Sequence, residues 1–78
     1  MWIEKSGKLY KKFEFKDFIE AMAFMVQVGM CAEKMGHHPT LKNTYSKVEV
    51  WLTTHDVGNT ITDKDKKLAK KIDTLTNI

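Results

Sequence analysis

The chain has 78 residues, of which 42% are hydrophobic, and its 13 Lys+Arg against 10 Asp+Glu leave a formal net charge of +3. This composition excludes a disordered chain, and the length allows one domain over residues 1–78 that buries about 60% of its unfolded surface. The single Cys31 excludes an internal disulfide framework and a cysteine-based zinc site. Because no apolar stretch approaches roughly 18 residues and the first residues lack the basic-then-apolar order of a signal peptide, we expect a cytoplasmic protein without a membrane partner.

The hydrophobic pattern of the first half predicts a hairpin and a long helix. Residues 1–15 alternate around Ser6-Gly7, which predicts a β-hairpin. The apolar run that follows predicts a helix capped by Asp17 and ended by Gly36. Few of its positions are polar, so we expect a helix that is covered on two sides and has its methionines in the core. These methionines are Met22, Met25, Met30 and Met35.

The second half of the sequence also predicts two strands followed by a helix. Residues 40–44 and 48–54 predict two strands, and Val48, Val50 and Leu52 would face the long helix. The segment from Thr62 to Asp65 has the form of a capping box and predicts a last helix. The inward positions of this helix are Leu68, Ala69, Ile72 and Leu75. The order β-β-α-β-β-α predicts an α+β fold, a four-stranded antiparallel sheet with helices packed on one face.

Three histidines stand at the ends of predicted elements, where scaffolds display functional groups. His37 and His38 follow the long helix, His55 follows the last strand, and Pro39 restrains His38 to an extended conformation. An imidazole with an unperturbed pKa of about 6.5 suits proton transfer at neutral pH. One alternative to a role in proton transfer is that these are surface histidines in polar loops. Another is a three-histidine zinc site, although the spacing of the histidines lacks the helical i, i+4 pair of the common zinc motif.

Other polar side chains also have two interpretations. A carboxylate at Asp65 is explained by helix capping alone, and Glu33 is either a solvated charge or a partner for an imidazole. No serine or cysteine has the surroundings of a catalytic nucleophile, and Cys31 is predicted to be a packed thiol. The lysines of the last helix predict a solvated face rather than a nucleic-acid surface, so we expect no nucleic-acid partner.

The spaced set of polar residues resembles the pterin-4a-carbinolamine dehydratases. The matching residues are the run Glu33-Lys34-Met35-Gly36-His37-His38-Pro39, followed by Tyr45, His55 and Asp65. Shorter similar segments surround them, so that the resemblance extends from Trp2 to about Asp73.

This resemblance implies a hydro-lyase that dehydrates 4a-hydroxytetrahydrobiopterin to quinonoid dihydropterin in tetrahydrobiopterin recycling, without a metal or organic cofactor. It implies a pterin site lined by His37, His38 and His55. Our hypothesis from the sequence is that His38 and His55 exchange protons with the substrate and His37 positions it. Asp65 corresponds to the family's aspartate in that site. The full set of implied residues is catalytic His37, His38, His55 and Asp65, with substrate-binding Glu33, Pro39, Thr54 and Asp56.

The chain departs from the family pattern at two places. Thr40-Leu41 stand where family members commonly carry Glu-Trp, so an indole beside the substrate is absent. Animal members also have an additional N-terminal helix, whereas this chain starts at the first strand. We therefore expect a homodimer or homotetramer formed through the sheet edge and the long helix. The alternative function is a protein-interaction module without catalysis, such as a dimerisation partner or coactivator, using the apolar surface of that helix.

Overall fold

The computed structural model describes residues 1–76. Its elements are β1 (Ile3–Lys5), β2 (Lys8–Glu14), α1 (Phe18–Met35), β3 (Thr40–Thr44), β4 (Lys47–Leu52), a short 3-10 helix (His55–Val57) and α2 (Asp63–Thr74). No helix within residues 1–76 is long and apolar enough to cross a membrane.

The four strands form one antiparallel sheet in the order β1-β2-β4-β3. The central strands β2 and β4 pair from Leu9 opposite Leu52 to Glu14 opposite Lys47. The alternate residues Val48, Val50 and Leu52 are fully buried and face the helices, as their period of two predicts. The sheet with both helices on one face confirms the predicted α+β fold.

The turn of the first hairpin packs against the loop that follows β4. Ser6 and Gly7 have φ values of 53° and 75°, which suit a two-residue hairpin turn. A Cβ on Gly7 would lie 2.7 Å from the backbone oxygen of Asn59. The Thr53 hydroxyl also donates to the Gly7 carbonyl at 3.0 Å. The hairpin turn therefore supports the segment that carries His55.

Strand β4 ends two residues earlier than predicted, at Leu52. Thr54 instead forms an isolated antiparallel bridge with Thr60, through backbone bonds of 3.0 and 3.3 Å. The chain between them closes into the short 3-10 helix that begins at His55. The bridge thus closes the polar segment that separates β4 from α2.

Helix α1 has both predicted ends, α2 begins at the predicted capping box, and both helices pack on the sheet. Asp17 caps α1 by accepting a hydrogen bond from the Glu20 amide at 2.9 Å, and Gly36 ends it in the left-handed region with φ of 64°. Each large apolar side chain buried between helix and sheet contributes about 1.5–3 kcal/mol. The core consists of Leu9, Phe13, Ala21, Phe24, Val28, Ala32, Val48, Val50, Leu52, Leu68, Ala69 and Ile72.

One side of α1 is uncovered in the single chain, and this corrects the prediction for the methionines. Met22, Met30 and Met35 are exposed, whereas Met25 and Cys31 are half-buried against the core. The sheet and α2 cover only the side of α1 that carries Ala21, Phe24, Val28 and Ala32. The opposite side carries an exposed strip, here called the apolar ribbon of α1, formed by Ile19, Met22, Val26 and Met30.

Candidate active site

The ends of several elements meet beside the start of β3. The left-handed Gly36 turns the chain out of α1, and the His37 amide donates back to the Ala32 carbonyl at 3.1 Å. Pro39 then leads into β3, the 3-10 helix after β4 carries His55, and the first turn of α2 carries Asp65. Residues that are far apart in sequence are thereby placed at one end of the domain.

Asp65 is the centre of a buried hydrogen-bond network. Its side chain is 0% exposed, and its Oδ1 lies 2.5 Å from His37 Nε2. Its Oδ2 accepts from the Thr54 hydroxyl at 2.8 Å and from the Thr62 amide at 2.9 Å. Because Thr54 donates its only hydroxyl proton to Asp65, the 2.6 Å bond between Thr54 and Thr62 uses the Thr62 hydroxyl as donor. Every oxygen of this network has a fixed role.

The electrostatics of Asp65 favour its ionised form. Burial by itself would raise the pKa of this carboxyl, but hydrogen bonds from His37, the Thr62 amide and the Thr54 hydroxyl together outweigh burial and hold the pKa below its usual range. The ionised carboxylate can only accept, so the proton between the two side chains belongs to His37 Nε2. Asp65 thus fixes the tautomer of His37 as well as its orientation.

His38 and His55 are each held by one oxygen as well. His38 Nε2 lies 2.8 Å from Glu33 Oε1, and both side chains are exposed. His55 Nδ1 donates to Asn59 Oδ1 at 2.7 Å. Asn59 lies four residues beyond His55 in the bridged loop and has a positive φ of 56°. In all three rings one nitrogen is engaged by the protein, which leaves the other nitrogen for a ligand.

The three imidazoles line one shallow cavity of about 350 Å³. Of the predicted site residues, His37, His38, His55, Pro39, Thr54 and Asp56 are part of its wall. Asp65 and Glu33 lie behind it and contact the site through His37 and His38. Thr54 is also buried, and its hydroxyl proton is used by Asp65. The structure therefore brings together all eight predicted residues. Asp65, Glu33 and Thr54 support other residues of the site: Asp65 holds His37, Glu33 holds His38, and Thr54 holds Asp65.

Two contributors were not identified from the sequence. Asn59 orients His55, and Lys64 lines the cavity together with Thr40. The polar loop containing Asn59 gave no periodic signal, because its function depends on the bridge between Thr54 and Thr60. Lys64 was assigned to the solvated lysine face of α2, and only its place in the first helical turn brings it to the histidines. Within residues 1–76, no group of three His, Cys, Asp or Glu side chains is arranged to hold a metal ion.

This arrangement of oriented imidazoles on a common cavity suits acid/base chemistry on a small polar ligand. A family model described as Pterin 4 alpha carbinolamine dehydratase matches residues 1–75. The chain therefore belongs to the pterin-4-alpha-carbinolamine dehydratase family.

Individual relatives agree with this family assignment. A protein of Synechococcus sp. (strain WH7803), provisionally named pterin-4-alpha-carbinolamine dehydratase, is 47% identical over 74 residues, which cover 95% of this chain and 78% of the relative. A relative with the same provisional name from Sinorhizobium medicae (strain WSM419) is 49% identical over 74 residues, which cover 92% of this chain and 70% of the relative.

Two solved structures share the fold. A transcriptional coactivator/pterin dehydratase from Brucella Melitensis superposes with a TM-score of 0.88 at 39% identity, covering 94% of this chain and 79% of that one. A pterin dehydratase-like protein, described as a RuBisCO assembly factor in the alpha-carboxysome, gives a TM-score of 0.76 at 22% identity. The superposition covers 96% of this chain and 86% of that one. The second similarity concerns the fold alone.

Proposed function

We propose that this protein dehydrates 4a-hydroxytetrahydrobiopterin to quinonoid dihydropterin, as a step in tetrahydrobiopterin recycling in the cytoplasm. The observation that carries the proposal is the single cavity lined by three imidazoles, each with one nitrogen held by an oxygen of the protein. The family assignment supports the substrate class. The proposed reaction uses side-chain acid/base chemistry alone.

The reaction needs two proton transfers and no redox partner. The C4a–O bond breaks as the departing hydroxyl accepts a proton, and the neighbouring ring nitrogen loses its proton to a base. The electron pair of that N–H bond forms the new C=N bond, so that water and quinonoid dihydropterin are the products. Two oriented imidazoles, one donating and one accepting, match these two transfers.

The contacts favour a division of roles that differs from the sequence expectation. His37 is held by a fully buried carboxylate, which fixes the ring and offsets the charge that develops on it during proton exchange. His55 is held by Asn59, and its Nε2 is left for the substrate. His38 is exposed and paired with Glu33, whose side chain is also exposed. We therefore assign proton exchange to His37 and His55, and substrate positioning to His38.

The remaining predicted residues receive supporting or contact roles in this proposal. Asp65 positions His37, Thr54 positions Asp65, and Glu33 orients His38. Pro39 and Asp56 line the cavity and are proposed to contact the pterin directly.

Steady-state measurement of quinonoid dihydropterin formation tests this function. Wild-type protein is expected to exceed the uncatalysed rate, and His37→Ala or His55→Ala is expected to lower kcat about 10²–10⁴-fold. His38→Ala is expected to act mainly on KM. Asp63→Ala, on the exposed side of the same α2 turn, serves as the control and should keep the wild-type rate. Wild-type rates in all three histidine variants would refute the proposal.

We further propose that the protein is a homo-oligomer. The apolar ribbon of α1 supports this, since Ile19, Val26 and Met30 are 77%, 55% and 69% exposed in the single chain. The edge strands β1 and β3 offer a second contact. A second copy presents the same ribbon, so two helices can bury their apolar faces against each other. Val26→Glu should reduce the sedimentation coefficient, and Gln27→Glu, which adds a charge beside the ribbon, should not.

The same ribbon supports the second candidate function, a protein-interaction role. The Brucella Melitensis protein is described as a transcriptional coactivator as well as a pterin dehydratase. If interaction is the only function, the histidine variants leave partner binding unchanged while Val26→Glu removes it. Catalysis is favoured over this alternative because interaction gives no reason for three oriented imidazoles on one cavity.

A further inference from the structure

A second cleft lies on the other side of Thr40 from the histidine cavity. It has a volume of about 330 Å³ and is lined by Lys5, Ser6, Lys8, Thr40 and Trp51. Thr40 lines both cavities, so the two adjoin at the start of β3. The Thr53 hydroxyl, from the wall of the histidine cavity, bonds the hairpin turn between the two lysines. A ligand in the histidine cavity can therefore extend past Thr40 toward the lysines.

The charges in this second cleft are uncompensated. Lys5 and Lys8 stand directly opposite each other on β1 and β2, an arrangement that is unfavourable for like charges. Neither lysine forms an ion pair within residues 1–76, and no acidic residue lines the cleft. An anion placed between the two ammonium groups would remove their repulsion. The two uncompensated lysine charges thus favour binding of a negatively charged group in this cleft.

The wall of the cleft adds an aromatic surface. Trp51 lies opposite Thr40 on β3 and opposite Tyr10 on β2, and the two aromatic rings are 5.2 Å apart. The Lys5 ammonium lies 5.8 Å from the centre of the Tyr10 ring. The cleft therefore combines a half-buried indole with two cations, which suits a short side chain that ends in an anionic group.

We propose that the Lys5/Lys8 cleft is a subsite for an anionic group on the C6 side chain of the pterin, and that a phosphate-bearing pterin is preferred over a neutral one. This inference rests on the proposed function, because it uses the histidine cavity for the pterin ring. Thr40 is the residue between ring and anion. A neutral Thr40 admits the anion, whereas a carboxylate at this position would repel it.

The test compares two 4a-hydroxytetrahydropterins that differ only in a terminal phosphate on the C6 side chain. The phosphate-bearing substrate is expected to have a kcat/KM that is about two- to thirtyfold higher, from two partly exposed ion pairs. The preference should decrease with added salt. A third substrate that ends in a carboxylate should fall between the other two.

Variants test whether the preference for the phosphate-bearing substrate arises at the Lys5/Lys8 cleft. Lys5→Gln/Lys8→Gln should remove the preference without lowering kcat on the neutral substrate, and Thr40→Glu should remove the preference by repelling the phosphate. Lys12→Gln/Lys42→Gln removes the same charge from the same sheet face, on both sides of Glu49, and Thr40→Gln keeps the size of glutamate without its charge. Both controls should retain the preference. The inference would be overturned if the wild-type protein showed no preference for the phosphate-bearing substrate. It would also be overturned if Lys5→Gln/Lys8→Gln retained the full wild-type preference.

Direct binding separates this inference from the proposed function. Calorimetry with stable dihydropterins, with and without the phosphate, measures the subsite without catalysis. Tighter binding of the phosphate-bearing compound, lost in Lys5→Gln/Lys8→Gln, supports the subsite even if neither substrate is dehydrated. Dehydration of both substrates with equal binding would leave the proposed function intact and refute the subsite.

Discussion

Replacing Asp65 by Asn tests the connection between the buried carboxylate and the chemistry at His37. Asparagine keeps the shape of the side chain, but it has one accepting oxygen, and its NH2 group can only donate. That oxygen stays with the Thr54 hydroxyl and the Thr62 amide, which bond Oδ2 in the wild type. The NH2 group then faces His37 Nε2, which lies 2.5 Å from Oδ1. His37 must change to the tautomer that carries its proton on Nδ1.

The expected effects are moderate for stability and large for catalysis. A hydrogen bond to a charged group contributes about 1.5–3 kcal/mol, so replacing the ionised acceptor should lower the free energy of unfolding by about 2–3 kcal/mol. A domain with an ordinary stability of about 5–15 kcal/mol remains folded after this loss. The wrong tautomer presents N–H where the substrate needs a lone pair, so kcat should fall about 10²–10⁴-fold.

The assay combines absorbance kinetics with nitrogen NMR of the imidazoles. Asp63→Asn is the matched control, because Asp63 is an exposed carboxylate in the same helical turn. It should change stability by at most about 1 kcal/mol and leave kcat unchanged. A wild-type kcat in Asp65→Asn, with the NMR signals showing the changed tautomer of His37, would refute the assigned role of this pair.

Three further predictions concern pH, the hairpin turn and the helix cap. Because the pKa of Asp65 is lower in the folded than in the unfolded chain, its contribution to stability is complete above about pH 5 and is lost as pH falls below about 4. Urea unfolding should therefore show the advantage of wild type over Asp65→Asn shrinking at pH 3, and a constant difference would contradict this. Gly7→Ala should cost about 1–3 kcal/mol and slow catalysis, because its Cβ would meet Asn59. Gly29→Ala, with nothing within 4 Å, should be neutral or stabilising, and equal losses in both variants would exclude the proposed clash. Asp17→Ala should lower the free energy of unfolding by about 1 kcal/mol at unchanged kcat, and a loss of rate would show that the cap of α1 influences the site.

The fold was predictable because the local signals agree with one another. The alternation in β4, the Asp17 cap and the Gly36 stop each specify one element, and the segregated order of hairpins and helices specifies the class. The methionines of α1 were misassigned because apolar character alone does not tell a core position from an uncovered surface. Exposure of the apolar ribbon depends on how much of α1 the sheet and α2 can cover, which is a property of the assembled domain.

The site was predictable only in part, for a related reason. The spaced histidines and Asp65 were identifiable from the sequence, but the role of Asp65 was open between capping and catalysis. The structure shows one carboxylate bonding both the Thr62 amide and His37, so capping of α2 and orientation of the imidazole depend on the same side chain. Asn59 was missed because its contact with His55 requires the bridge between Thr54 and Thr60, which no local pattern announces.

The same limit applies to the lysines. The sequence directs attention to the lysine-rich α2, where regularly spaced charges indicate a solvated face. Lys5 and Lys8 were not singled out, because their repulsion arises only from strand register, and their relation to the histidines arises only through Thr40. The proposed anion subsite therefore rests on a cross-strand pair of like charges and not on the number of lysines.

The central claim is that His37 and His55 together catalyse loss of water from the pterin carbinolamine, and rapid-mixing dehydration of freshly generated 4a-hydroxytetrahydrobiopterin measures it directly. Wild-type protein should form quinonoid dihydropterin well above the uncatalysed rate, and folded His37→Ala/His55→Ala protein should bind the pterin but add nothing to that rate. A wild-type rate equal to the uncatalysed one, or an undiminished rate in the double variant, would contradict the claim.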